Sequence, residues 1–119
     1  MPQFGVLIYT DDSLHALDAT AEDLEESDQH ADELRAAGAM VAAYALTPRD
    51  LATSVRASGI TSGPFMGAGP VVAGFYVIEA PDLDAALAVA RTNPAVRSGN
   101  GGVEVRPLHS GGVVQPDQP

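Results

Sequence analysis

An α+β fold with the element order β-α-β-β-(β)-α-β is predicted for this chain by three observations. Phe4–Tyr9 is an apolar run closed by Thr10-Asp11-Asp12-Ser13, as a strand followed by a turn would be. A helix-like segment between Thr20 and Gly38 comes next. The second half then runs strand, capped helix, strand from Ala73 to Pro107.

Phe4, Val6 and Ile8 point one way in the first strand, Leu7 and Tyr9 the other, so both faces are apolar and both want cover. Thr20 caps the first helix, Glu22 and Asp23 suit the positive end of its dipole, and Gly38 ends it as the C′ residue. Met40–Leu46 is a strand stopped by Thr47-Pro48, and Thr53–Ala57 is a short, weak one. The Gly- and Pro-rich stretch from Ser58 to Pro70 reads as an irregular loop. Ala73–Glu79 is the strongest strand. After Pro81, Asp82 caps a helix whose Leu83, Ala86, Leu87 and Ala90 follow the i, i+3, i+4, i+7 spacing, and Asn93-Pro94 stops it. Gly102–Pro107 is the last strand, and 109–119 reads as a flexible tail behind a single domain, 1–108. Two helices on one face of an antiparallel sheet make a ferredoxin-like βαββαβ domain. The apolar second face then calls for a second copy of the chain.

Composition excludes several functions. The net charge is −10, and all six basic residues are Arg, with no basic stripe or aromatic platform for nucleic acid. Zero cysteines rule out thiol catalysis, thiolate metal sites and disulfides. No apolar run approaches membrane-spanning length and the N-terminus lacks signal-peptide regions, so a soluble cytoplasmic protein is expected. The three histidines, His15, His30 and His109, form no H-x-H pair, so neither a metal site nor a cofactor is expected.

Leu24, Ser27, Ala31 and Leu34 make the sheet-facing stripe of the first helix, and His30 lies roughly 80° to its side at about 100° per residue. Glu26, four residues before it, is placed to pair with His30 and raise its pKa. Ser27 has no base in reach and no G-x-S-x-G elbow surrounds it. Gly67-Ala68-Gly69 precedes a strand and lacks a Lys, so it is no phosphate cradle. Arg106 on the last strand is placed either to take a carboxylate in a cleft or to pair with Glu104 neighbours or acidic residues of a second copy of the chain. Tyr9 and Tyr76 read as core residues with hydroxyls near a cavity mouth.

Ser62-Gly63-Pro64-Phe65, followed by strand, capped helix and Val103-Glu104-Val105-Arg106-Pro107, resembles the YCII-related family, in the branch named for an Asp-Gly-Pro-Phe motif. The resemblance runs from about Phe4 to Leu108 and implies two sheets packed face to face as a dimeric α+β barrel. Many relatives place a histidine about eleven positions before the helix-ending glycine, which from Gly38 falls on Ser27, with His30 one turn later. That histidine works with an aspartate as an acid–base dyad. Here Ser62 stands where the motif has its aspartate, and Met66–Gly74 carries none of the charges common in relatives.

Members with assigned activity act on chlorinated or lactone-type aromatic breakdown products by proton abstraction and elimination. Others are encoded beside alternative sigma factors. The leading expectation is a homodimer that binds a small organic molecule in a cleft between the first helix and the sheet. Weak lyase or dehydrochlorinase-type chemistry would centre on His30, with Ser27 and Ser62 as further catalytic candidates and Tyr9, Tyr76 and Arg106 as binding ones. The alternatives are a non-catalytic, sigma-factor-associated accessory module and, third, a cofactor-free monooxygenase.

Overall fold

The structure, a computed structural model, describes residues 1–13, 20, 29–35, 39–97 and 99–112. Its main sheet is built from β1 (Gln3–Thr10), β2 (Met40–Ala45), β5 (Val71–Glu79) and β6 (Gly102–Pro107), in the order β2-β5-β1-β6. Every neighbouring pair is antiparallel. β1 and β2 therefore run parallel with β5 between them, and β5 and β6 run parallel with β1 between them. These are two split βαβ units, the ferredoxin-like arrangement. A small separate sheet pairs β3 (Thr53–Arg56) with β4 (Gly59–Ser62).

Residues 29–35 are helical and form the described part of α1; α2 is Leu83–Ala90. The alternation of β1 decides which face they cover. Phe4 lies opposite Ile78 and Val6 opposite Tyr76 and Val105, so these side chains share one face. Leu34 from α1 and Ala86 and Ala90 from α2 close over them, leaving Val6 and Ile78 0% exposed. α2 meets the sheet with alanines, so its backbone approaches closely and the core is thin. Asp82 caps it as expected, its Oδ1 accepting from the Ala85 amide at 2.8 Å. Asn93-Pro94 ends the helical run, and Asn93 Oδ1 accepts from Ala95 N at 2.9 Å to start a short 3-10 turn, Pro94–Arg97.

Among the described residues, no helix covers the second face of the sheet. Tyr44 stands opposite Phe75 with ring centroids 5.4 Å apart, and they are 63% and 38% exposed. Leu7 and Val77 continue the apolar strip across β1 and β5. At β6 it gives way to Glu104 and Arg106, an exposed pair at 3.9 Å. β6 seals the free edge of β1, and Leu108 N donates to Gln3 O at 3.0 Å, so the two ends of the domain lie side by side.

Two expectations need correction. The stretch from Ser58 is not irregular throughout, since Gly59–Ser62 is a strand. Gly59 takes φ 139°, which lets the chain reverse over Ala57-Ser58, and β-branched Ile60 and Thr61 then hold the extended form. Ser54 Oγ and Ala52 O fasten the hairpin through bonds of 2.7 Å to Gly63 O and N. β5 also starts earlier than expected, at Val71, because Val71 and Val72 pair with Thr10 and Tyr9 at the end of β1. Its register with β1 shifts between Ile8 and Tyr9, leaving Ala73 as an extra residue. At Gly74 a Cβ would sit 2.7 Å from the Tyr44 carbonyl oxygen, which reserves the position for glycine. Among the described residues no helix is long and apolar enough to cross a membrane.

Ile78→Ala should cost about 2–5 kcal/mol in urea unfolding, through lost burial and the cavity left behind. Ile60→Ala, at a position 72% exposed on the small hairpin, should stay within about 0.5 kcal/mol.

Candidate functional site

The strand ends at one pole of the main sheet are tied together by short polar links. Thr10 Oγ1 donates to Asp12 O at 2.7 Å, and Asp12 Oδ1 accepts from the backbone amides of Ser13 and Arg49, both at 2.8 Å. Ser13 Oγ donates to Leu46 O at 2.5 Å, which joins the end of β1 to the end of β2. Pro48 then stops β2 and turns the chain into a 3-10 turn, Arg49–Leu51, closed by Leu51 N to Pro48 O at 3.0 Å.

Arg49 holds this pole together. Its Nη1 donates to Asp11 O at 3.0 Å and to Gly69 O at 3.2 Å, and its Nη2 to Gly67 O at 3.3 Å. One guanidinium thus fixes the turn after β1 against the loop before β5. Gly69, at φ 80°, gives that loop its tight bend.

Between these segments opens a cavity of about 440 Å³. Tyr9 and Val72, paired across the register shift, line it together with Leu46, Pro48 and Arg49. Pro64, Phe65 and Met66 form the facing wall. Arg56 positions that wall, its guanidinium 4.1 Å above the Phe65 ring centroid and its Nη2 donating to Phe65 O at 2.5 Å. The lining is mostly apolar, with Arg49, Thr47 and Tyr9 as its polar groups, and the volume is that of a small-molecule pocket.

His30 belongs to a second place, on the helix side of the sheet. Its ring meets Tyr76 edge-on, with centroids 6.2 Å apart and planes at 74°. Nε2 lies 2.9 Å from Thr92 Oγ1, whose own proton goes to Val89 O at 2.7 Å. The hydroxyl can then only accept from the ring, so neutral His30 carries its proton on Nε2 and keeps the lone pair on Nδ1. Burial lowers the pKa of His30 below its ordinary 6.5; Glu33 opposes the shift and Arg97 adds to it. The rise expected from Glu26 is therefore reversed in direction, because desolvation outweighs nearby carboxylate charge. Glu26 itself lies outside the described residues.

Tyr76 is 3% exposed, a core residue at mid-sheet. Among the described residues its hydroxyl meets no partner in hydrogen-bond geometry. Burial pushes the phenol pKa up, and the Asn93 side chain partly offsets this without reaching such geometry.

The other sequence candidates are scattered. Tyr9 lines the cavity; Ser62 ends β4 opposite Thr53, exposed and outside the lining; Arg106 projects from β6 beside Glu104. Ser27 and His15 lie outside the described residues. His109 is exposed, with Nδ1 3.1 Å from Ser110 Oγ. No group of three or more His, Cys, Asp or Glu able to hold a metal ion occurs among the described residues. Arg49 was missed by the sequence reading. Its only local signal is the Thr47-Pro48 strand stop, which places the next side chain at the sheet's end.

Compared with known families, the chain matches the model of the YCII-related domain over residues 4–110. No curated protein matches it.

A lowered folded pKa for His30 means that the unfolded chain binds more protons between the folded value and 6.5. This contribution to stability is complete above about pH 6.5 and is lost as pH falls through the folded value. In urea titrations from about pH 7 to about pH 5, His30→Gln should therefore lose less stability than the wild type.

Proposed function

Since the chain belongs to the YCII-related domain family, we propose that it binds a small organic molecule in the pocket between Tyr9, Arg49 and Phe65. The observation that carries this reading is an apolar cavity of about 440 Å³ on which one cation and two hydroxyls converge. Apolar walls supply binding free energy by desolvation, and a few fixed polar groups set orientation. A ligand present at a hundred times its dissociation constant stabilises the folded state by about 2.7 kcal/mol. Screening small organic molecules by thermal shift should thus find compounds that raise the melting temperature by several degrees. Ala52→Phe, which fills the cavity, should abolish the rise while leaving the unliganded fold intact.

A second reading, lyase-type acid–base chemistry, rests on His30. A histidine held neutral by burial, with its tautomer fixed by Thr92, has a lone pair on Nδ1 ready to take a proton at neutral pH. Any eliminating activity found should fall at least about a hundredfold in kcat for His30→Gln, the usual scale for losing a general base. Activity unchanged by that substitution would leave the accessory-module reading, in which the pocket only senses its ligand.

The bare face of the sheet supports a homodimer. Tyr44, Phe75, Leu7 and Val77 expose an apolar strip that a second copy would cover. Light scattering at micromolar concentration should give twice the chain mass of 12.2 kDa. Phe75→Glu should return the monomer, because a carboxylate would be buried unpaired in the interface.

A further inference from the structure

We propose that the pocket selects molecules with an apolar body and a single carboxylate, and that Arg49 receives the carboxylate; this rests on the pocket reading above. Arg49 is the one charged side chain in the lining. The chain carries 16 acidic residues. Even so, among the described residues the guanidinium contacts only neutral backbone carbonyls, those of Asp11, Gly67 and Gly69. Asp12, whose carboxylate accepts from the Arg49 backbone amide, turns its Oδ1 to that amide and to the amide of Ser13 instead. The pocket lining therefore includes a guanidinium that forms no ion pair with a described carboxylate. In partly desolvated surroundings such a charge is a strong site for an anion.

The geometry of the fork fits this use. A guanidinium has five N–H donors, and the three described bonds occupy two on Nη1 and one on Nη2. The Nε hydrogen and one Nη2 hydrogen remain for a carboxylate. The three bonds also fix the side chain before a ligand arrives, so little rotamer entropy is lost on binding. Selectivity for a single negative charge follows from the surroundings. One cation does not offset the repulsion of a chain at −10 for a dianion, and the rest of the lining adds no charge, only the uncharged Tyr9 and Thr47 among apolar residues.

The test compares matched acids and amides, benzoate with benzamide and hexanoate with hexanamide, by titrating the labelled protein and following backbone amide signals. Each acid should bind at least about tenfold tighter than its amide, with shifts centred on Tyr9, Arg49, Phe65 and Val72. Arg49→Gln should make acid and amide equal, and Arg49→Lys should retain a reduced preference. Equal affinity of each pair in the wild type, or a preference that survives in Arg49→Gln, overturns the carboxylate site while leaving the pocket intact. If neither series perturbs those residues at concentrations up to about 10 mM, weaker than any useful affinity, both this inference and the pocket reading fall. Should Arg49→Gln not fold, the wild-type acid and amide pairs alone decide.

Discussion

Everything in this molecule hangs on the pairing of β1 with strands on both its sides. Val6 faces Tyr76 on one neighbour and Val105 on the other, so three strands present one continuous apolar surface to two helices. The residues that cover it are mainly alanines, and a core this thin depends on close approach rather than on bulk. The same alternation sends Leu7, Phe75 and Val77 to the opposite side, where no described helix covers them. One periodicity thus creates both the stable half of the domain and its unsatisfied half.

The pocket follows from how the sheet ends rather than from its middle. Ala73 is one residue too many for the ladder, and this extra length brings Val72 level with Tyr9 at the rim. Arg49 then draws two loops together through three carbonyls. A cation placed this way acts on the structure of both loops at once. It spans segments that would otherwise separate, and it leaves positive potential inside an acidic molecule. The His30 cluster is organised differently, by burial against Tyr76 and by one hydroxyl, and lies on the helix side, away from the lining of that cavity.

Legibility in the sequence tracked the range of the forces involved. α2 was readable because its spacing and its Asp82 cap are local, and β6 because Pro107 and alternating valines bound it. The β3–β4 hairpin was not, since glycines that look like disorder are what let the chain reverse. Arg49 was not, because its partners lie 18 to 38 residues away and are backbone atoms, which composition does not reveal. The link from His30 to Thr92 crosses 62 residues and joins two helical segments that periodicity describes separately. Tyr76 was assigned to the core and to a cavity mouth together, and only burial separates those roles. The motif at Ser62 identified the family through its loop, while its side chain stands apart from the pocket that the following Pro64 and Phe65 enclose.

The adjacency of the domain's two ends has a consequence for biosynthesis. β1 is made before the other strands of its sheet, yet one of its edges finds its neighbour only when β6, the last described strand, is added. Until then the nascent polypeptide exposes a naked edge with apolar side chains on both faces, a shape prone to illicit pairing. Closure joins strands far apart in sequence and comes late on entropic grounds as well. The ribosome must therefore release the chain through Pro107 before the sheet can become whole.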